Sequence, residues 1–288
     1  MPNPSTRHVW RQLVAGAVRR YPDRVSYVPG VEYRSLMVAA DGAAARITLN
    51  RPEKRNALSL ELMEELIATL REVSAQGATR AIVIEGAGPA FSAGHDLSEM
   101  IGRDEEFYRE LFGVCTVLME TIHELPQPVI AKVHGIATAA GCQLVAACDL
   151  AVAADGARFG TPGVKIGLFC STPMVSVSRA VGRKRAMQLL LTGESIDART
   201  ALEWGLVNRV LPAEELEAAV GELVEAIARS SSYTVATGKR TFYAQVDRAE
   251  HDAYEHCKIV MAENALAADA QEGMSAFLQK RAPTWRGR

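Results

Sequence analysis

Three short apolar runs constrain this chain more than any other feature: residues 81–84 (Ala-Ile-Val-Ile), 128–133 (Pro-Val-Ile-Ala-Lys-Val) and 150–152 (Leu-Ala-Val). Strands that are apolar almost throughout are buried on both faces, which is the habit of parallel sheets covered by helices. A fourth strand is predicted over 45–49, closed by Asn50-Arg51-Pro52, where proline ends the ladder. Between these runs lie helical patterns. Ser59 precedes Leu62, Met63, Leu66, Ile67, Leu70 and Val73 at helical spacing, and Gly77 stands where the helix should stop. After Pro212 the strand signal ends, and 214–228, 233–246, 251–265 and 271–281 read as helices. The expected organisation is an N-terminal extension (1–43), an α/β core (44–211) and a C-terminal helical region (212–288).

A chain of 288 residues can bury one large core, or one core with a helical appendage. Its formal net charge of −2 gives no electrostatic reason to expect nucleic acid or an anionic membrane as partner. No uninterrupted apolar stretch is long enough to span a bilayer, so membrane insertion is not expected. Cys115, Cys142, Cys148, Cys170 and Cys257 show neither paired-ligand spacing nor the density of a disulfide scaffold, and read as buried free thiols in a reducing compartment. No metal site is expected. Residues 7–20 carry arginine and no acid, with Val9, Trp10, Leu13, Val14 and Val18 among them. That pattern fits an organelle transit segment or a plain extension; the second is preferred because such composition is weak evidence.

Two glycine-centred turns carry the functional signal: Phe91-Ser92-Ala93-Gly94-His95-Asp96-Leu97, and Gly135 through Gly141 to Leu144. Each follows an apolar run and leads into helical patterning. Small side chains let a ligand approach the backbone, and the start of a helix leaves N–H groups free with partial positive charge. An anionic oxygen is the natural ligand of such a corner. Either turn alone is equally well explained as a tight packing corner. Together they are expected to suit a two-donor oxyanion hole. Asp96 can cap the turn that follows it.

These residues resemble the crotonase (enoyl-CoA hydratase/isomerase) superfamily. Besides the two turns, the matching stretches are Leu49-Asn50-Arg51-Pro52-Glu53-Lys54-Arg55-Asn56-Ala57-Leu58, Phe159-Gly160-Thr161-Pro162, Leu191-Thr192-Gly193-Glu194, Glu203-Trp204-Gly205-Leu206-Val207 and Glu272-Gly273-Met274-Ser275-Ala276-Phe277. The resemblance runs from about Ala44 to Arg281 and implies a spiral of ββα units with a C-terminal helical trimerisation region. It implies a homotrimer or a dimer of trimers, and an acyl-CoA thioester as substrate or ligand with no separate cofactor. The oxyanion hole carries over to the backbone N–H groups of His95 and Ala140. Coenzyme A contacts map to Lys54, Arg55 and Ala57, to Ala93 near the adenine with Asp96 beside it, and to Phe277 and Lys280 reaching from a neighbouring subunit. Lys54 and Arg55 suit phosphates on physical grounds as well, although a solvated basic loop would look the same.

The chain departs from the family where hydration chemistry is done. The positions of the two hydratase glutamates hold Gln143 and Gly163. Glutamine cannot act as a general base near neutral pH, and glycine has no side chain. The following segment, 167–173 (Gly-Leu-Phe-Cys-Ser-Thr-Pro), replaces a glycine-rich turn; Cys170, Ser171 or Thr172 can meet the acyl group, or the segment is a turn opening a helix at Pro173. The His95 imidazole is the remaining acid/base candidate, set against an ordinary structural role. Phe107, Leu111 and Leu118, with Met100, Ile101 and Phe112, either border the acyl chain or belong to the core. The expected function is thioester binding with enolate stabilisation and weak hydratase activity, a lyase if active. The alternatives are a non-catalytic acyl-CoA-binding protein or a decarboxylase of malonyl-type thioesters. The expected location is bacterial cytoplasm, or the mitochondrial matrix if the chain is eukaryotic.

Overall fold

The computed structural model describes residues 33–288; the arginine-bearing segment 7–20 lies outside the described residues. The chain starts with an antiparallel hairpin, β1 (Leu36–Asp41) and β2 (Ala44–Leu49), followed by α1 (Leu60–Ala75). α1 begins as expected: the Ser59 hydroxyl accepts from the Leu62 N–H at 3.2 Å, and Gly77 takes a φ of +71° beyond its end. The chain then repeats one pattern. β3 (Ala81–Gly86) and β4 (Ala90–Ser92) lead to α2 (Leu97–Met100) and α3 (Glu105–Glu124). β5 (Val129–Val133) and β6 (Ile136–Thr138) lead to α4 (Ala140–Ala147). β7 (Leu150–Ala154) and β8 (Arg158–Gly160) lead to α5 (Pro173–Val181) and α6 (Arg183–Thr192). In each repeat the first strand enters one sheet and the second enters another, which is the expected ββα spiral.

The larger sheet has the order β1-β2-β3-β5-β7-β10, with β10 at Arg209–Leu211 after β9 (Ile196–Asp197) and α7 (Ala198–Trp204). It is parallel apart from the β1–β2 pair. The smaller sheet has the order β4-β6-β8-β9 and is parallel except at β9. Alternation explains why the strands of the larger sheet read as continuously apolar. Ile82, Ile84, Val129, Ala131, Ala151 and Ala153 point into the main core, while Ala81, Val83, Ile130, Val152 and Ala154 point to the opposite face. That second face is covered by α8 (Leu216–Ala228) through Leu216, Ala219, Val220 and Val224.

The sheet starts at Leu36, inside the segment read as an extension; β1 is apolar from Leu36 to Ala40 but, as an edge strand, buries only Leu36. The helical region past 212 also divides: α8 is part of the core, and α9 (Ser232–Gln245), α10 (Glu250–Leu266) and α11 (Ala268–Leu278) form the appendage. α9 is tied down by Lys239. Its ammonium donates to Asp149 Oδ2 at 2.6 Å and to the carbonyls of Ile122 and Gln127, while Tyr243 donates to the other oxygen of Asp149 at 2.9 Å. No helix of the described residues is long and apolar enough to cross a membrane.

Candidate functional site

The smaller sheet builds the site. Its strands β4, β6 and β8 lie side by side and parallel, so their carboxyl ends open at one edge, where ligands of layered α/β folds bind. Past those ends come the two glycine-centred turns and Thr161. Gly94 has a φ of +89°, and a Cβ there would lie 2.8 Å from the Ala139 Cβ and 3.2 Å from the Ala140 nitrogen. The two corners therefore touch, and only glycine fits between them. Ala139 sits at φ +50° and ψ −120°, strained for a residue with a side chain, and strain of this kind costs about 1–3 kcal/mol. Gly141 is equally forced, since a Cβ there would come within 2.8 Å of the Ser92 Cβ and overlap the Ser92 carbonyl.

The hydrogen bonds around these corners leave two N–H groups over. Leu58 donates to the Gly94 carbonyl at 2.7 Å and accepts from the Asp96 N–H at 3.3 Å. In such a parallel bridge the residue between, His95, turns its own N–H the other way. Ala140 is the first residue of α4, so its N–H has no partner in the helix; the Ala139 carbonyl instead accepts from Gln143. Neither N–H donates to a group among the described residues. Two free donors at touching corners are suited to one oxygen atom.

Gln143 is buried, and its Oε1 accepts from Cys115 Sγ at 3.7 Å. Gly163 is sealed: a Cβ there would overlap the Leu168 carbonyl oxygen and lie 2.8 Å from Cys170 Sγ. Cys170 is thus occupied in closing the loop over Gly163, and α5 opens at Pro173 as turn chemistry predicts. Burial pushes the Cys115 and Cys142 thiols up to about 12, so neither supplies a thiolate at neutral pH.

His95 places its ring edge-on to Phe112, with centroids 5.5 Å apart. Both ring nitrogens are buried without a partner in hydrogen-bond geometry, although the Leu58 backbone lies close enough to act on the ring. Burial lowers the imidazole pKa, with the Leu58 backbone pulling weakly the other way, so the ring is neutral at pH 7. Of the candidate acyl-side residues, Met100, Leu111 and Leu118 are core, Ile101 is exposed, and Phe107 and Phe112 are half-buried.

Lys54 and Arg55 are exposed on the loop beside the site, and Ala57 is buried at its end. That loop is stitched to the first turn: Ala93 donates to the Arg55 carbonyl at 3.0 Å, and the Ser92 hydroxyl to the Asn56 carbonyl at 2.8 Å. The Asp96 carboxylate is engaged by the protein's own groups. Its carboxylate caps Ser98 and pairs with Arg51 at 3.0 Å, and although burial pushes its pKa up, Ser98 and Arg51 prevail and hold it below the usual range. Phe277 and Lys280 are not brought to the site within one chain; α11 packs on α9 and α10.

Three residues were missed in the sequence. Asn56, fully buried at φ +53°, accepts from the Arg51 N–H and donates to the carbonyls of Ala87 and Ala90, clamping the loop. Asparagine's tolerance of positive φ was the available signal. Arg51 ties Ala57 to Asp96. Thr161 is fully buried, and its hydroxyl has no partner.

The sequence pattern of the family described as Enoyl-CoA hydratase/isomerase matches residues 40–288. The chain is 47% identical over 241 residues to the mitochondrial enoyl-CoA hydratase domain-containing protein 3 of Xenopus laevis, covering 83% of this chain and 82% of that protein. It is 36% identical over 247 residues to a putative enoyl-CoA hydratase of Thermus thermophilus, covering 84% and 97%. Among solved structures, an enoyl-CoA hydratase from Mycobacterium smegmatis superposes with a TM-score of 0.86 at 45% identity, covering 88% of this chain and 99% of that one. Human enoyl-CoA hydratase domain-containing protein 3 gives 0.85 at 43%, covering 88% and 100%.

Proposed function

Since the chain belongs to the enoyl-CoA hydratase/isomerase family, we propose that it binds acyl-CoA thioesters and polarises the thioester carbonyl with the backbone N–H groups of His95 and Ala140. The contact of the Gly94 and Ala139 corners carries this reading, because it leaves two free donors aimed away from the protein's own bonds. Charge that develops on the carbonyl oxygen as an enolate forms would be met by both donors, each worth on the order of 3 kcal/mol. Lys54 and Arg55 at the loop edge would meet the phosphates of coenzyme A, and Ala57 and Ala93 would border its pantetheine and adenine. No separate cofactor takes part.

Ordinary hydration needs a base to activate water and an acid to protonate the α-carbon. Gln143 supplies neither, and the fold closes over position 163. This protein therefore hydrates crotonyl-CoA very slowly. The sealing of Gly163 also favours a second reading, an acyl-CoA-binding protein without turnover. The experiment is paired: calorimetric titration with butyryl-CoA, and loss of crotonyl-CoA followed at high protein concentration. Micromolar binding with little hydration is expected. Rapid hydration would overturn the account of the missing carboxylates, and absence of binding would overturn the thioester reading. The eukaryotic relatives are named as mitochondrial proteins; for this chain we propose the bacterial cytoplasm, or the mitochondrial matrix in a eukaryote.

A further inference from the structure

Among the described residues, both ring nitrogens of His95 and the hydroxyl of Thr161 are buried without a hydrogen-bond partner. This clustering is not what packing alone produces, since a buried polar group left without a partner destabilises the fold and natural cores contain few of them. The two residues share one place. Thr138 pairs with Gly160 in the β6–β8 register, so the next residues, Ala139 and Thr161, stand side by side at the strand ends. His95 stands at the end of the neighbouring strand β4, on the corner that touches Ala139. Gln143 joins them one turn into α4. Its carbonyl oxygen is met by Cys115 at 3.7 Å. Phe112 and Cys115 are three residues apart on α3, so one face of that helix covers both His95 and Gln143.

We infer that the side chains of His95, Thr161 and Gln143 form a polar acyl subsite that recognises a neutral oxygen on the acyl group, a hydroxyl or a keto oxygen near the thioester. The inference rests on the acyl-CoA reading above and specifies its ligand class. A neutral imidazole offers one donor and one acceptor, a hydroxyl offers both, and the glutamine amide offers donors. A plain hydrocarbon chain would leave the imidazole and the threonine hydroxyl unpaired. A carboxylate would be buried without a countercharge, since Arg51 is already held by Asp96. The half-buried Phe112 ring, which covers the edge of the imidazole, is the group an entering acyl chain would displace.

The test is competitive calorimetry of the full-length protein with 3-hydroxybutyryl-CoA, butyryl-CoA and malonyl-CoA. A hydroxyl that satisfies otherwise orphaned groups should give a preference over butyryl-CoA on the order of tenfold. That ratio should fall towards one in His95→Phe and in Thr161→Val. It should persist in Thr69→Val, which removes a buried orphan hydroxyl from α1 in the core. Equal binding of the hydroxylated and plain thioesters by the wild-type protein would overturn the inference and leave the thioester reading standing. Tightest binding of malonyl-CoA would overturn it in favour of an anion-reading pocket. No binding of any of the three would overturn the thioester reading itself.

Discussion

At the scale of single residues, the loss of the second hydratase carboxylate is not a simple deletion. Position 163 lies under the Leu168 carbonyl and Cys170 Sγ, and the Leu168 N–H donates back to the Gly163 carbonyl at 3.0 Å. A side chain there must push backbone apart, and overpacking of that kind costs about 1–3 kcal/mol. Gly163→Glu, alone or with Gln143→Glu, is therefore expected to lower the urea midpoint by a corresponding amount without restoring crotonyl-CoA hydration. A stable, hydrating double variant would show that the 167–170 segment yields easily. Position 163 also marks a limit of reading the chain. That the carboxylate was absent could be seen in the sequence, but that nothing could be put back depends on where Leu168 folds. Asn56 was hidden for a similar reason: its three bonds join points 5, 31 and 34 residues away, and no local pattern announces them.

At the scale of elements, legibility follows burial. The central strands β2, β3, β5 and β7 of the larger sheet and the capped helix α1 have strong apolar signals and fall within a residue or two of expectation, because their periodicity is the packing. β1 is a short apolar run, Leu36 to Ala40, that periodicity alone does not assign, and as an edge strand it buries only Leu36. The segment 282–288 shows another kind of order, imposed by carboxylates. Asp269 accepts from the Ser231 hydroxyl and from the N–H groups of Arg286 and Gly287, while Glu272 accepts from Arg281 and the Thr284 N–H. Arg281 and the Thr284 N–H hold the Glu272 pKa down at about 2. Burial pushes Asp269 up, but the Ser231 hydroxyl and the tail amides outweigh it. Both groups bind protons less readily in the docked state. Their contribution is thus complete above the ordinary carboxylate range and is lost as pH falls from about 4.5 towards about 2. Trp285, whose indole donates to the Arg229 carbonyl at 2.7 Å, reports docking. In a background with Trp10 and Trp204 replaced by Phe, its emission should shift to the red across that window, and at higher pH in Asp269→Asn. An emission that changes only with global unfolding would contradict this.

At the scale of the whole molecule, the appendage is incomplete as one chain. α10 runs for 17 residues without one that is buried, and Tyr254, Ile259, Met261 and Leu266 all face solvent. On α11 Phe277 is 82% exposed, with Leu278 beside it. A helix pair with this much uncovered apolar surface gains about 1.5–3 kcal/mol for each large side chain that a second copy buries, which is more than a monomer can forgo lightly. We propose that copies of the chain assemble as a homotrimer or a dimer of trimers through this appendage. The appendage also carries Phe277 and Lys280, so assembly would hand them to a neighbour's coenzyme A. Light scattering should then give a mass of three or six chains. Tyr254→Glu with Met261→Glu places two charges on one face of α10, seven residues apart, and should release single chains. Those chains should bind butyryl-CoA more weakly although every residue of the two turns is intact, because the nucleotide end of the ligand has lost its second wall. Single chains that bind as tightly as the assembly would separate the two claims, keeping the oligomer and removing Phe277 and Lys280 from the ligand.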